Sequence, residues 1–212
     1  MRNRHANKQI PAQEISQPNQ STNLPVVHED RASDEVRKLY QQFREDFGRP
    51  KIPGILECFA THPPLLQHML GLAKSMLFTD GALDRKHKEM IAAFVSAMNE
   101  CVYCTDSHAV SFRMADGSAD ATRALLACDL QSNSITPEQR ALLQFAEKIT
   151  QDSQAIGPAD VAAMRKSGWT DLQIAEAIHV TALFASFNRV ANAFGLPSQN
   201  LLNAFEEQSA NE

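Results

Sequence analysis

Residues 89–108 read Glu-Met-Ile-Ala-Ala-Phe-Val-Ser-Ala-Met-Asn-Glu-Cys-Val-Tyr-Cys-Thr-Asp-Ser-His. Met90, Ile91, Phe94, Val95 and Met98 recur at helical spacing, and Asp84 is placed to cap a helix running from Arg85 to about Met98. Asn99 and Glu100 interrupt the apolar pattern, so the helix is expected to break there and a second to start near Cys101. At about 100° per residue, Cys104 and His108 fall within about 60° of Cys101 on that helix, in one stripe. Two thiols and an imidazole on one helical face make a redox site or part of a metal site. The dithiol at the helix start faces unpaired N–H groups and the macrodipole, which favour thiolate, and His108 is one turn from Cys104. An i, i+3 pair also brings the two Cα atoms to the roughly 5–6 Å that a disulfide needs.

Apolar periodicity of 3.6 recurs along the rest of the chain. Ser33 caps a stripe of Val36, Leu39, Tyr40, Phe43 and Phe47 that stops at Gly48 and Pro50. A turn at Ile52-Pro-Gly leads to a short apolar segment around Cys58 and Phe59, and Pro63-Pro64 opens a long helix before the Asp80-Gly81 link. After the motif, Gly117 is expected as the left-handed cap of the Cys101 helix, and Ser118 starts another helix through Leu130. Thr136 with Gln139, and Thr170 with Gln173, have capping-box spacing, and Gly157-Pro158 begins a short helix between them. The last long helix is expected to bury Leu172, Ala175, Ile178, Ala182, Leu183, Val190, Ala191 and Phe194, with His179 in the same stripe. No run alternates with period two. The fold expected is all-α, a multi-helix bundle with the Cys-x-x-Cys at the start of a central helix.

Residues 1–30, rich in Gln, Asn, Ser and Pro, read as a flexible or draped N-terminal arm. Residues 31–198 form the helical domain and 199–212 a C-terminal tail. The 212 residues are 43% hydrophobic and 21% charged, enough for a real core. A formal charge of −5 without a basic stripe argues against nucleic acid, and no apolar run approaches a membrane span. The first residues lack the apolar core of an export signal, which points to a reducing, cytoplasmic setting where paired cysteines are catalytic or metal-binding. Cys58 and Cys128 stand alone in apolar surroundings and read as buried small hydrophobes.

Residues 83–92 and 101–108 together resemble the alkylhydroperoxidase D / carboxymuconolactone decarboxylase family. They share its pattern of Glu89, eleven residues, Cys101-x-x-Cys104, three residues, His108. Pro53-Gly-Ile-Leu, the stretch from Thr136 to Leu143 and Phe187-Asn-Arg-Val-Ala-Asn resemble its peroxidase-related branch, over about residues 30–196. The resemblance implies an all-helical fold assembled as trimers or hexamers. It also implies roles: Cys104 attacks a small hydroperoxide, Cys101 resolves the sulfenic acid as a disulfide, and Glu89 with His108 relays protons. A dithiol or thioredoxin-like protein would recycle the enzyme, with no metal, haem or flavin. Along one straight helix Glu89 would lie about 18 Å from Cys101, so this role requires the break at Asn99-Glu100 to fold one helix back on the other. Tyr103 stands where the best-described alkylhydroperoxidase carries a second relay histidine, and members acting as decarboxylases generally lack the cysteine pair.

Other readings of the same residues are a protein thiol-disulfide reductase or redox sensor, a non-catalytic helical oligomeric binding protein, and a zinc site completed by His87 or Cys58. A thioredoxin-like fold requires strands that the chain does not offer. Asn188 and Asn192, an i, i+4 pair on the last long helix, read as core polar groups or as residues lining the site.

Overall fold

The computed structural model describes residues 22–79 and 81–210. Those residues form ten α-helices and two short 3-10 turns, with no strand among them. The helices are α1 (Asp34–Phe47), α2 (Gly54–Phe59), α3 (Pro63–Leu77), α4 (Arg85–Met98), α5 (Val102–Met114), α6 (Ala119–Leu126), α7 (Pro137–Asp152), α8 (Pro158–Lys166), α9 (Asp171–Phe194) and α10 (Leu201–Ala210).

Local chemistry sets most of the boundaries. Ser33, Asp84, Ser118, Thr136 and Thr170 each accept a backbone N–H in the first turn of their helix, and the two expected capping boxes both close. Gly48 and Gly195 end α1 and α9 in the left-handed conformation. Helix α4 is buried on all sides from Lys88 to Ser96, with α3, α5, α6, α7 and α9 packed around it. Such a helix belongs at the centre of a bundle, because every face loses apolar area to a neighbour.

The break at Asn99-Glu100 is a tight helix stop. The Cys101 N–H reaches back to the Ser96 carbonyl at 2.9 Å, and Glu100 takes a positive φ of 52° where glycine is usual. Helix α5 thereby returns along α4, and this pair makes the most extensive helix–helix contact of the bundle.

Several expectations are corrected. Asp116, not Gly117, takes the left-handed position after α5. Gly117 is needed for a different reason, since a Cβ there would come within 2.5 Å of the Phe112 ring. Helix α6 ends at Leu126 rather than Leu130, and the turn that follows puts Cys128 at positive φ and in solvent, so it is not a buried hydrophobe. On α9 the buried face runs through Ile174, Ala177, Thr181, Phe184, Asn188 and Ala191, leaving Leu172 at 72% exposure and Ile178 and His179 outside. The shift arises because Thr181 and Asn188 belong to the inner face, and a count of apolar side chains passes over both.

Leu201–Ala210, within the expected C-terminal tail, is helical. Asp106 on α5 accepts the backbone N–H groups of Gln199, Leu201 and Leu202 at 2.9–3.0 Å and so caps α10. Residues 22–31 drape over the body: Asn23 N–H bonds the Phe194 carbonyl, and the Tyr40 hydroxyl donates to Val27. The arm expectation for residues 1–21, and Asp80 in the α3–α4 link, lie outside the described residues.

Candidate active site

Cys101 is the N-cap of α5 and Cys104 lies in its first turn, both buried in a small apolar cluster with Cys58, Tyr103, Ala191 and Leu196. The two thiols share one proton's worth of interaction. A hydrogen bond from Cys104 lowers the Cys101 pKa to about 7 against the opposing effect of burial, helped by the Cys104 and Tyr103 backbone N–H groups and the Asn188 amide. The same contact, with burial, pushes the Cys104 thiol well up. The charge of the reduced pair therefore rests on Cys101 and the proton on Cys104. Cys58 is driven to about 12, chiefly by burial, and is inert as a nucleophile.

Helix α4 delivers Glu89, which has no solvent exposure, to His108 on α5: His108 Nδ1 lies 2.6 Å from Glu89 Oε2. Burial alone would raise the carboxyl pKa, but His108 and Arg85 together outweigh it and hold Glu89 ionised. Opposite an ionised carboxylate, Nδ1 is the protonated nitrogen and donates, leaving Nε2 for proton exchange. The Phe184 ring stands edge-on to the imidazole at 4.5 Å and fixes its plane.

Arg85 was not singled out by the sequence. One turn before Glu89 on α4, its guanidinium closes on Oε1 as an ion pair without hydrogen-bond alignment. It also donates to the Leu77 carbonyl at 2.6 Å and lies 4.0 Å over the Phe78 ring. Its ion pair with Glu89 separates it from its neighbours Lys86 and His87, which are buried to a similar degree. A second group, Asn188, is wholly buried. Its amide donates to Ser96 Oγ and its carbonyl accepts from Asn99, both at 2.9 Å. Asn192 donates to the Asn99 carbonyl from an exposed position. Asn188 thus ties the sulfurs to the α4–α5 turn.

Tyr103 does not replace a relay histidine. Its hydroxyl accepts the Ile55 N–H at 3.3 Å, which steadies the start of α2, and burial pushes its pKa far up. His87 sits against Asp84 and the Trp169 ring, so it does not complete a ligand shell with the cysteines. Among the described residues no group of three or more His, Cys, Asp or Glu side chains is arranged to hold a metal ion.

Cys104 and His108 open onto a cavity of about 360 Å³ whose walls include Phe43, Phe47, Phe78 and Phe187. Cys101 lies behind it. The arrangement offers one reachable sulfur, a second sulfur in contact with it, and an oriented imidazole, all beside an apolar chamber.

Comparisons with known proteins place the fold among alkylhydroperoxidase D-like structures. Residues 63–148, which contain the whole Glu89–His108 segment, match the carboxymuconolactone decarboxylase family. The structure resembles an alkylhydroperoxidase AhpD core, an uncharacterized peroxidase-related protein from Ralstonia eutropha JMP134, with 26% identity and a TM-score of 0.76 over 87% of this chain and 96% of that one. An uncharacterized peroxidase-related protein from Silicibacter sp. TM1040 is 28% identical at the same TM-score, over 89% of this chain and 97% of that one. The uncharacterized protein YdfG of Bacillus subtilis (strain 168) is 26% identical over 117 residues, 54% of this chain and 77% of its own length.

Proposed function

From a chain whose residues 63–148 belong to the carboxymuconolactone decarboxylase family and whose fold is that of the alkylhydroperoxidase D-like proteins, we propose a thiol-dependent, peroxidase-like oxidoreductase. The observation that carries the proposal is the pairing of a cavity-facing Cys104, in contact with Cys101, with a His108 held by buried Glu89.

The cycle balances with these groups, one solvent proton and an external dithiol. The shared proton moves from Cys104 to Cys101, freeing the Cys104 thiolate. That thiolate attacks the terminal oxygen of a hydroperoxide and the O–O bond breaks. Cys104 becomes a sulfenic acid and the leaving alkoxide takes the pair's proton, passed through His108 Nε2. Cys101, again a thiolate, attacks the Cys104 sulfur, expels hydroxide and forms the Cys101–Cys104 disulfide. A proton from solvent, delivered by the same imidazole, completes water. The lowered pKa of Cys101 suits the resolving step, since the resolving sulfur is the better anion. An external dithiol or thioredoxin-like reductant then returns both thiols. The cycle calls on no metal, haem or flavin, and suits a reducing cytoplasm.

Adding one equivalent of cumene hydroperoxide to the reduced protein should remove two of its four thiols. Peptide mapping should place the new disulfide between residues 101 and 104. An unchanged thiol count sinks the proposal. A protein disulfide as substrate is less well supported, because Cys101 is wholly buried and Cys104 is reached only through the cavity.

Assembly into a homo-oligomer, a trimer or hexamer, belongs to the same reading. Val102 and Met114 on α5 support it, as apolar side chains 59% and 68% exposed beside the site. Light scattering should return a mass several times 23.5 kDa, and a monomer would remove this part of the reading.

A further inference from the structure

The cavity is mostly apolar, with neutral polar side chains at Ser107, Ser111 and Gln199, and on one side Arg49 and Lys51 flank Pro50 in the α1–α2 link. They are its only fully charged lining residues apart from the titratable His108, and no Asp or Glu lines it. This is unexpected in a chain of net charge −5. Neighbouring cations are neutralised: Arg44 pairs with Glu29, and Lys74 Nζ lies 2.6 Å from Asp46. Arg85 is committed to Glu89. Arg49 and Lys51 have no acidic partner among the described residues, and both are exposed. Arg49 instead rests 5.7 Å from the centroid of Phe78, an aromatic wall of the cavity.

The chamber is therefore polarised. Its inner side carries the thiolate-forming pair and the ionised Glu89 behind His108, and its mouth carries two cations with no acidic partner among the described residues. A neutral hydroperoxide would leave that mouth unmatched. We propose that the substrate is an amphipathic hydroperoxide with an apolar body and a carboxylate at its far end, and that Arg49 and Lys51 hold that carboxylate at the cavity mouth. The fields at the two ends then act together, drawing the carboxylate outward and presenting the uncharged O–O group to Cys104. A cavity of about 360 Å³ suits a body of small-ligand size. The inference rests on the peroxidase reading for its reactive end, whereas recognition of the carboxylate stands on the cavity alone.

The test has two arms on the full-length protein. In the first, octanoate and octanol, which cannot react, are titrated calorimetrically. Octanoate should bind about three- to tenfold tighter, and the difference should vanish in an Arg49→Gln/Lys51→Gln double variant. Equal binding, or a preference that survives in the double variant, overturns the inference. In the second, 8-hydroperoxyoctanoate and its methyl ester are compared as substrates. The acid should have the higher kcat/KM by a similar factor, falling towards one in the double variant. If both are consumed equally, carboxylate recognition fails and the peroxidase reading stands. If neither is consumed, the peroxidase reading and with it the hydroperoxide end of the inference fail, and the octanoate arm alone decides whether the mouth recognises a carboxylate. Both replaced side chains are exposed, so the variant should fold.

Discussion

Replacing Cys104 with serine is expected to end hydroperoxide turnover, by a factor on the order of 10³ or more in kcat/KM, while the protein keeps its fold. Cys104 is the sulfur that lines the cavity, and Cys101, though the better thiolate, lies behind it where a peroxide does not reach. A Cys101→Ser variant should behave differently. It should consume about one equivalent of hydroperoxide and stop with a sulfenic acid at Cys104, trapped by dimedone. The pH dependence separates the two sulfurs further. In the wild type the reactive pair loses its first proton near pH 7, the value to which the Cys104 contact draws Cys101, so kcat/KM should rise through that pH. With serine at 101, Cys104 remains buried and has lost its proton acceptor. Its single-turnover rate should then rise only towards and beyond the ordinary thiol pKa of about 8.5. Fast, repeated turnover by Cys104→Ser would reverse the assignment of attacking and resolving sulfurs.

Glu89→Gln should lower kcat/KM by about 10²- to 10³-fold, a range typical of a lost proton relay. The isosteric amide keeps the volume and removes the charge. Its carbonyl can accept from His108 Nδ1, but its NH₂ then meets the Arg85 guanidinium, and reversing the amide spoils the histidine contact instead. Neither orientation serves both partners. Stability should fall as well, by less than the roughly 3–5 kcal/mol seen when a fully buried pair is broken, because Arg85 is 33% exposed and can recover water. The sign of the pH effect is fixed by the pairing. The folded pKa of Glu89 is depressed, so its contribution is complete above the ordinary carboxylate pKa and is lost as pH falls through the folded value. Thermal unfolding of the wild type should show this acid loss, and that of the Gln variant should lack it. Parallel Tm-versus-pH curves for the two proteins would count against the buried pair.

Much of the fold is legible because helix ends are written in short-range chemistry. Thr136 with Gln139 and Thr170 with Gln173 announce their helices, and each closes a cap within four residues. The dithiol and His108 are equally local, lying within eight residues on one face of α5. Glu89 is not local. Its distance from Cys101 depends on a stop at residues 99–100 that the sequence marks with only two polar side chains. Arg85 and Asn188 are harder still. An arginine in a run of Arg, Lys and His looks like solvent-facing charge until burial of Glu89 gives it a partner. Asn188 falls on the inner face of α9 through packing against Ser96 and Asn99, about ninety residues away in sequence. Cys128 fails for the opposite reason: the apolar residues around it belong to α6, which ends two residues earlier.

The tight stop at Glu100 also sets a limit on how this chain can change in length. One residue inserted between Glu89 and Cys101 would turn the following helix by about 100° and slide it about 1.5 Å. His108 would leave the carboxylate while both cysteines stayed correctly spaced from each other. The eleven-residue spacer thus behaves as a ruler. Indels there should be purged from descendants that keep the chemistry, even though the residues removed or added touch no substrate. The positive φ at Glu100 is part of that ruler, because it lets the chain reverse within the three residues between Met98 and Val102 instead of through a loop of adjustable length.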